Sequence, residues 1–317
     1  MAGQSGGMRK ILSRLSLAVV AAVVVSGWSE TALAACGLGA AGTTERVQIG
    51  DRGRSLMLHR PAGDQPLPLV ILLHGSGGTG AKMLSDTTLE ATADRHGFIV
   101  ASPDAGIPAG DGFVWNIPGV PTILGRAPGP EDADDVAYLG EVVDALVAEQ
   151  CVDPARVYLT GLSGGGRMTS WMACVEPRRF AAIAPVVGLR AGNPDPEDLS
   201  RPDPETCTPK TPTPVIAFAG DADQTNPTQG GGAPYWSYPM HAALQRWAQL
   251  NGCGAPSPTV WVAPTVWVAP TVYEERYAIC ADDAQVVARM TVGGGHFWLA
   301  DEEAMWAFFA RYARPAS

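Results

Sequence analysis

Short apolar runs alternate with amphipathic helical stretches along most of this chain, and that alternation restricts it to a sheet covered by helices on both faces. Runs of strand length fall at Arg46–Ile49, Ser55–His59, Leu69–Leu73, Phe98–Ser102, Val157–Leu162, Ala181–Val187, Val215–Ala219 and Val286–Val292. Helical patterning marks Ala81–Arg95, Asp132–Glu149, Gly165–Cys174, Met240–Leu250 and Glu302–Tyr312. In the second of these, Val136, Leu139, Val143, Leu146 and Val147 recur at helical spacing. The reading is an α/β fold: one domain over residues 35–317 with a mostly parallel central sheet. With 46% hydrophobic residues in 317, the chain can fill a core of that size.

The first 34 residues read as an export signal rather than as part of the domain. Arg9, Lys10 and Arg14 precede an apolar run from Leu15 to Val25, and Ala32, Leu33 and Ala34 fit a small-residue cleavage site. The run is too short to span a bilayer comfortably, so no stable membrane insertion is expected. Cys36 follows Leu33, Ala34 and Ala35 in a bacterial lipid-acceptor pattern, so a secreted chain anchored through Cys36 is a minor alternative. Six cysteines (Cys36, Cys151, Cys174, Cys207, Cys253 and Cys280) form an even set. In an exported protein that suggests disulfides. Their spacings lack the CxxC pairs of a zinc site, and no metal or organic cofactor is implied. A formal charge of −10 without a Lys/Arg stripe argues against nucleic acid as a partner.

Two long loops, Ala105–Pro130 and Gly192–Thr213, are of the kind that wall an active site. Residues 258–272 hold a tandem repeat with Pro every six residues. Two copies do not make a solenoid, and the proline spacing points to an edge hairpin. The other reading is an apolar surface, through Trp261 and Trp267, that touches an insoluble substrate.

Chemistry concentrates at Gly161-Leu-Ser-Gly-Gly165, a GxSxG between a strand and a helix. That context makes Ser163 a candidate nucleophile, with the helix N-terminus favouring negative charge beside it. A serine needs a base, and in this topology the order is serine, acid, histidine. Of five histidines, only His241 and His296 follow Ser163. His241 sits in a helical stretch, whereas His296 follows the last strand across three glycines, so His296 is the expected general base. The acid should follow the strand Val215–Ala219, where Asp221 and Asp223 both stand. One would orient the imidazole and the other cap a turn, and position alone does not separate them. The oxyanion hole needs two backbone amides. Gly164 supplies one, and the loop His74-Gly-Ser-Gly-Gly78 the second. No GxxxxGK[ST] accompanies those glycines, so a nucleotide site is not expected.

These residues resemble the esterase family that includes poly(3-hydroxybutyrate) depolymerases and the related feruloyl and acetylxylan esterases. The resemblance rests on Leu73-His-Gly-Ser-Gly-Gly78, Gly97-Phe-Ile-Val-Ala-Ser-Pro-Asp104, Phe113-Val-Trp-Asn116, Cys151-Val-Asp-Pro-Ala-Arg-Val157, Gly161–Gly165, Gly220-Asp-Ala-Asp223 and Gly294-Gly-His-Phe-Trp298. It implies an α/β-hydrolase fold, Asp223 as the acid with Asp221 as runner-up, and the Ser76 amide as the first oxyanion donor. Two positions depart from the family: Ala219 stands where a His is common, and Leu299 follows Trp298 where Pro is usual. In this architecture Cys151 is expected to meet Cys174 and Cys253 to meet Cys280, leaving Cys36 with Cys207. Trp298 and Trp115 are the candidate substrate-binding aromatics, with core packing as the competing role.

The function expected is secreted cleavage of a carboxylic ester through an acyl-enzyme, with poly(3-hydroxybutyrate) or hydroxyalkanoate oligomers as substrate. A feruloyl or acetylxylan esterase acting on plant polysaccharide would use the same machinery. A non-catalytic surface-binding protein on a hydrolase scaffold is the alternative of a different kind, and an ordered Ser, Asp and His argues against it.

Overall fold

The computed structural model describes residues 1–4, 36–49, 54–63, 66–149, 151–262 and 271–315. The chain divides into two units, Met1–Leu33 and Ala34–Ser317. The export-signal reading of residues 1–34 and the second repeat with Trp267 fall outside the described residues. No helix among the described residues is long and apolar enough to cross a membrane.

Twelve strands are present among the described residues: β1 (Thr43–Gln48), β2 (Ser55–Arg60), β3 (Leu67–Leu73), β4 (Ile99–Pro103), β5 (Ile107–Ala109), β6 (Gly112–Val114), β7 (Val152–Leu162), β8 (Ala182–Val186), β9 (Val215–Gly220), β10 (Val260–Trp261), β11 (Val272–Tyr277) and β12 (Val286–Thr291). Six α-helices accompany them: α1 (Gly80–Ser85), α2 (Leu89–His96), α3 (Asp135–Ala148), α4 (Gly164–Val175), α5 (Met240–Leu250) and α6 (Glu302–Phe309). Ten strands form one sheet in the order β1-β2-β4-β3-β7-β8-β9-β12-β11-β10. From β4 to β12 every neighbour pair is parallel, and the antiparallel pairs lie toward the two edges.

Alternation along the central strands sends side chains to two cores. Leu69, Ile71 and Leu73 of β3 enter the face packed by Leu139 of α3, Met168 and Met172 of α4 and Trp247 of α5. Val70 and Leu72 enter the opposite face with Met83 of α1, Ala93 of α2 and Phe308 of α6. Strands buried on both faces read as continuous apolar runs, which is why the central ones are visible in the sequence.

The expected helix over Ala81–Arg95 is broken in two. Thr87 donates its hydroxyl to the carbonyl of Leu84 at 3.1 Å, and Thr88 donates both its amide (3.1 Å) and its hydroxyl (2.6 Å) to Glu302 of α6. Side chains that bond backbone locally end a helix that apolar spacing alone would continue. The β5–β6 hairpin inside the long loop was not anticipated. It docks antiparallel to Gly78, so it braces the glycine loop after β3. At the far edge, β10 pairs antiparallel with β11, as an edge hairpin should, and leaves Trp261 58% exposed.

Three disulfides join Cys36 to Cys151, Cys174 to Cys207 and Cys253 to Cys280. The last agrees with expectation; the other two correct it. Gly37 donates its amide to Glu149, which carries the N-terminal segment to Cys151, while Cys174 at the end of α4 meets the 200s loop. The Cys36 sulfur is committed to Cys151 and is therefore not free to carry a lipid thioether.

Candidate active site

Four loops at the C-terminal ends of β3, β7, β9 and β12 build the site. Ser163 follows β7 directly and is the N-cap of α4, with φ 53° and ψ −109°. A side chain in that left-handed region is strained, and such strain concentrates at functional turns. The elbow closes only with small neighbours: a Cβ on Gly161 would lie 2.6 Å from the Gly165 carbonyl carbon and 2.7 Å from Leu73 Cβ. The Ser163 amide is spent on the carbonyl of Val186 in β8 at 2.9 Å, which holds the turn against the sheet.

The loop after β12 carries His296. Its Nε2 stands 2.8 Å from Ser163 Oγ and its Nδ1 2.8 Å from Asp223 Oδ2. A carboxylate only accepts, so Nδ1 bears the proton and Nε2 is the acceptor for the serine hydroxyl. The other oxygen of Asp223 accepts the amides of Thr225 and Asn226, each at 2.8 Å. Asn226 in turn donates its side-chain amide to the carbonyl of Val187 at 2.6 Å, pinning the acid loop to the end of β8. Asp223 is 3% exposed and Ser163 8%.

Asp221 does something else. Its carboxylate accepts the amide of Gly293 at 2.6 Å, and the neighbouring Ala222 amide reaches the carbonyl of Gly294 at 3.0 Å. These bonds tie the acid loop to the histidine loop from the solvent side. The structure therefore brings Asp223, and not Asp221, to the imidazole.

Ser76 and Gly164 face one another across the elbow: a Cβ on Gly164 would lie 3.0 Å from the Ser76 amide nitrogen. Neither amide donates to a protein acceptor among the described residues. Two unspent amides beside a serine hydroxyl suit a developing oxyanion.

His74 is buried behind that loop. Its Nε2 accepts the amide of Ala105 at 3.0 Å, and its Nδ1 donates to the carbonyl of Gly75 at 2.8 Å. Burial disfavours the charged ring and pushes its pKa below the ordinary value of 6.5; protonation would also turn Nε2 into a donor facing the Ala105 N–H. The unfolded chain thus takes up a proton near pH 6.5 that the folded protein resists. Stability from the neutral ring is complete above that pH and is lost as pH falls toward the folded pKa. We expect the thermal midpoint to drop between pH 7.5 and 5.5. A flat midpoint over that range, measured by calorimetry, would contradict a neutral His74.

The two aromatic candidates are placed differently from one another. Trp115 is 3% exposed, its indole N–H donates to the carbonyl of His74 at 2.8 Å, and its ring lies 4.9 Å from the His74 ring. It is a brace for the oxyanion loop whose edge lines a small recess beside Ser76 and Gly164. Trp298 turns away: its N–H bonds Glu302 at 2.9 Å, and its ring packs on the core between the sheet and α6. The exposed aromatic next to His296 is Phe297, at 55% exposure. Two buried residues that the sequence did not single out are Arg167, which lines the recess beside Ser76 and Gly164, and Arg190, which shares an adjoining cleft with it.

Residues 54–197 match the family described as Esterase PHB depolymerase. Over that stretch the chain is similar to the PHB depolymerase esterases. Within that match lie Ser76, Ser163 and Gly164; Asp223 and His296 lie beyond it. The chain is 28% identical over 262 residues to feruloyl esterase B of Piromyces equi, covering 80% of this chain and 44% of that protein. It is 31% identical over 185 residues to poly(3-hydroxyalkanoate) depolymerase C of Paucimonas lemoignei, covering 57% and 41%. The chain thus spans less than half the length of these two relatives. Among solved structures, acetyl xylan esterase from Aspergillus awamori superposes with a TM-score of 0.59 at 19% identity, over 85% of this chain and 99% of that one. At that identity the likeness is one of fold, the α/β-hydrolase fold.

Proposed function

We propose that this chain is a serine carboxylic ester hydrolase that cleaves poly(3-hydroxybutyrate) or hydroxyalkanoate oligomers. The observation that carries the reading is the unbroken line from Ser163 Oγ through His296 to Asp223, each step 2.8 Å. Ser163 attacks the ester carbonyl as His296 Nε2 takes its proton, and Asp223 stabilises the resulting imidazolium. The amides of Ser76 and Gly164 receive the oxyanion. His296 then gives the proton to the leaving alcohol. Water, deprotonated by the same imidazole, attacks the acyl-enzyme, and its proton returns to Ser163 as the acid departs.

Substrate class is the finer part of the proposal. It draws on the family match and on the depolymerase among the relatives. Exposed Phe297, Ile123 and Leu124 provide apolar surface for a polyester. Three disulfides suit an oxidising compartment, in keeping with export.

The test is release of 3-hydroxybutyrate from amorphous poly(3-hydroxybutyrate) by the purified protein, with Ser163→Ala as control. Release lost in the variant is the expected result. No release from protein that still cleaves 4-nitrophenyl butyrate would overturn the polyester assignment and favour feruloyl esters, the chemistry named for the relative matched over 80% of this chain, or acetyl esters, named for another relative.

A further inference from the structure

Two arginines have no part in the steps above. Arg167 lies one turn into α4 from Ser163, and Arg190 follows β8; they are 6% and 7% exposed. Buried guanidinium groups ordinarily meet a carboxylate, because an unpaired buried charge is costly. Here no acidic group acts on either one among the described residues. Instead Arg167 lies 4.1 Å from the centre of the Tyr235 ring, and Arg190 lies 3.1 Å from that of Trp236 and 4.3 Å from that of Tyr238. Arg190 Nη1 donates to the carbonyl of Tyr238 at 2.9 Å, and Arg167 Nη2 makes a long contact of 3.4 Å with Ser76 Oγ. Arg167 Nε and Arg190 Nη2 remain buried with no hydrogen-bond partner. Burial pulls the two guanidinium groups down to about 10 and about 9, so both stay cationic at neutral pH. Aromatic faces offset part of the desolvation cost but accept no hydrogen bond in the guanidinium plane.

Both side chains line one narrow cleft walled by Ile117, Val120, Trp171 and Tyr235. Ile117, Val120 and Arg167 also wall the recess that contains Ser76 and Gly164. Arg167 therefore sits beside Ser76 and Gly164, with Arg190 in the adjoining cleft. The protein as a whole carries −10, so long-range attraction does not explain a cationic cleft; only a contact made inside it does.

We propose that Arg167 and Arg190 form an anion subsite beside Ser163 that receives a carboxylate carried by the substrate, which makes hydroxyalkanoate oligomers with a free carboxyl end the preferred esters. The proposal rests on the ester-hydrolase reading above and narrows its substrate. A carboxylate in that cleft would supply the counter-charge both guanidinium groups lack, and Arg167 Nε–H and Arg190 Nη2–H are the donors left without an acceptor. Esters deep inside a polymer strand have no such group to offer.

Binding tests it apart from turnover. Ser163→Ala protein, which keeps both arginines, is titrated calorimetrically with the linear dimer of 3-hydroxybutyrate as its free acid and as its methyl ester. The free acid should bind about tenfold more tightly or better, the scale of a buried charge-assisted hydrogen bond. Adding Arg190→Met should erase the difference, and Arg190→Lys should keep part of it. Equal binding of acid and methyl ester by Ser163→Ala alone overturns the subsite, whether or not the arginine variants fold. Tighter binding of glucuronate than of the dimer acid overturns its assignment to hydroxyalkanoate ends. Failure of the unmutated protein to cleave 4-nitrophenyl butyrate would instead sink the hydrolase reading and leave the binding comparison to be judged on its own.

Discussion

Replacing Ser163 by Ala should lower kcat for 4-nitrophenyl butyrate by about 10⁴ to 10⁶, with KM little changed. The hydroxyl is the only group on the elbow in reach of His296 Nε2, at 2.8 Å. Without it the oxyanion amides can still polarise the carbonyl, which is why a residue of catalysis survives in such variants. Folding should not suffer. Among the described residues the Ser163 hydroxyl has no other hydrogen-bond partner, and the backbone bonds to Val186 and Arg167 belong to the main chain. Alanine inherits the same left-handed strain that serine bears at φ 53°. The thermal midpoint should therefore move by no more than a few degrees. A variant that folds normally and retains a hundredth of the original turnover would place the nucleophile elsewhere.

How much of this was legible beforehand depended on whether a residue's task is local. Ser163 announces itself because the elbow forces small residues on both sides of it, and that constraint is written within five positions. His296 could be picked from five histidines by chain order and by the three glycines before it. Asp221 and Asp223 could not be separated by position, because both follow β9; what separates them is which carboxylate turns inward, where the amides of Thr225 and Asn226 hold it. Two disulfide pairs were misassigned for a related reason. Strand-and-helix direction placed Cys151 near Cys174, but the sequence has no local sign that the N-terminal segment returns to Cys151. Arg167 and Arg190 were missed because an arginine in a helical or loop pattern reads as surface. Their burial depends on Tyr235, Trp236 and Tyr238 arriving from a Pro- and Gly-rich loop distant in sequence. Trp115 and Trp298 show the converse: aromatics near catalytic motifs attract a ligand-binding reading, yet each spends its N–H on the scaffold.

The two aspartates give the second large effect. Asp223→Asn should reduce kcat by about 10³ to 10⁴, while Asp221→Asn should cost no more than a few-fold. The difference follows from what each oxygen accepts. Asp223 Oδ2 takes the Nδ1 proton of His296, and the two amides on Oδ1 fix the group so that it cannot rotate freely. An asparagine held by those same amides presents its NH₂ to Nδ1. The imidazole then has to carry its proton on Nε2, pointing at Ser163, where it can no longer accept the hydroxyl proton. The imidazolium formed during attack also loses its counter-charge. Among the described residues Asp221 accepts the Gly293 amide alone, at the solvent edge, and an asparagine oxygen accepts that bond equally well. Steady-state kinetics on both variants, with unfolding midpoints to confirm that each is folded, separates the roles. Loss of turnover in Asp221→Asn with Asp223→Asn near full activity would reverse them, and it would require the histidine loop to move by several ångströms between the resting and the working enzyme.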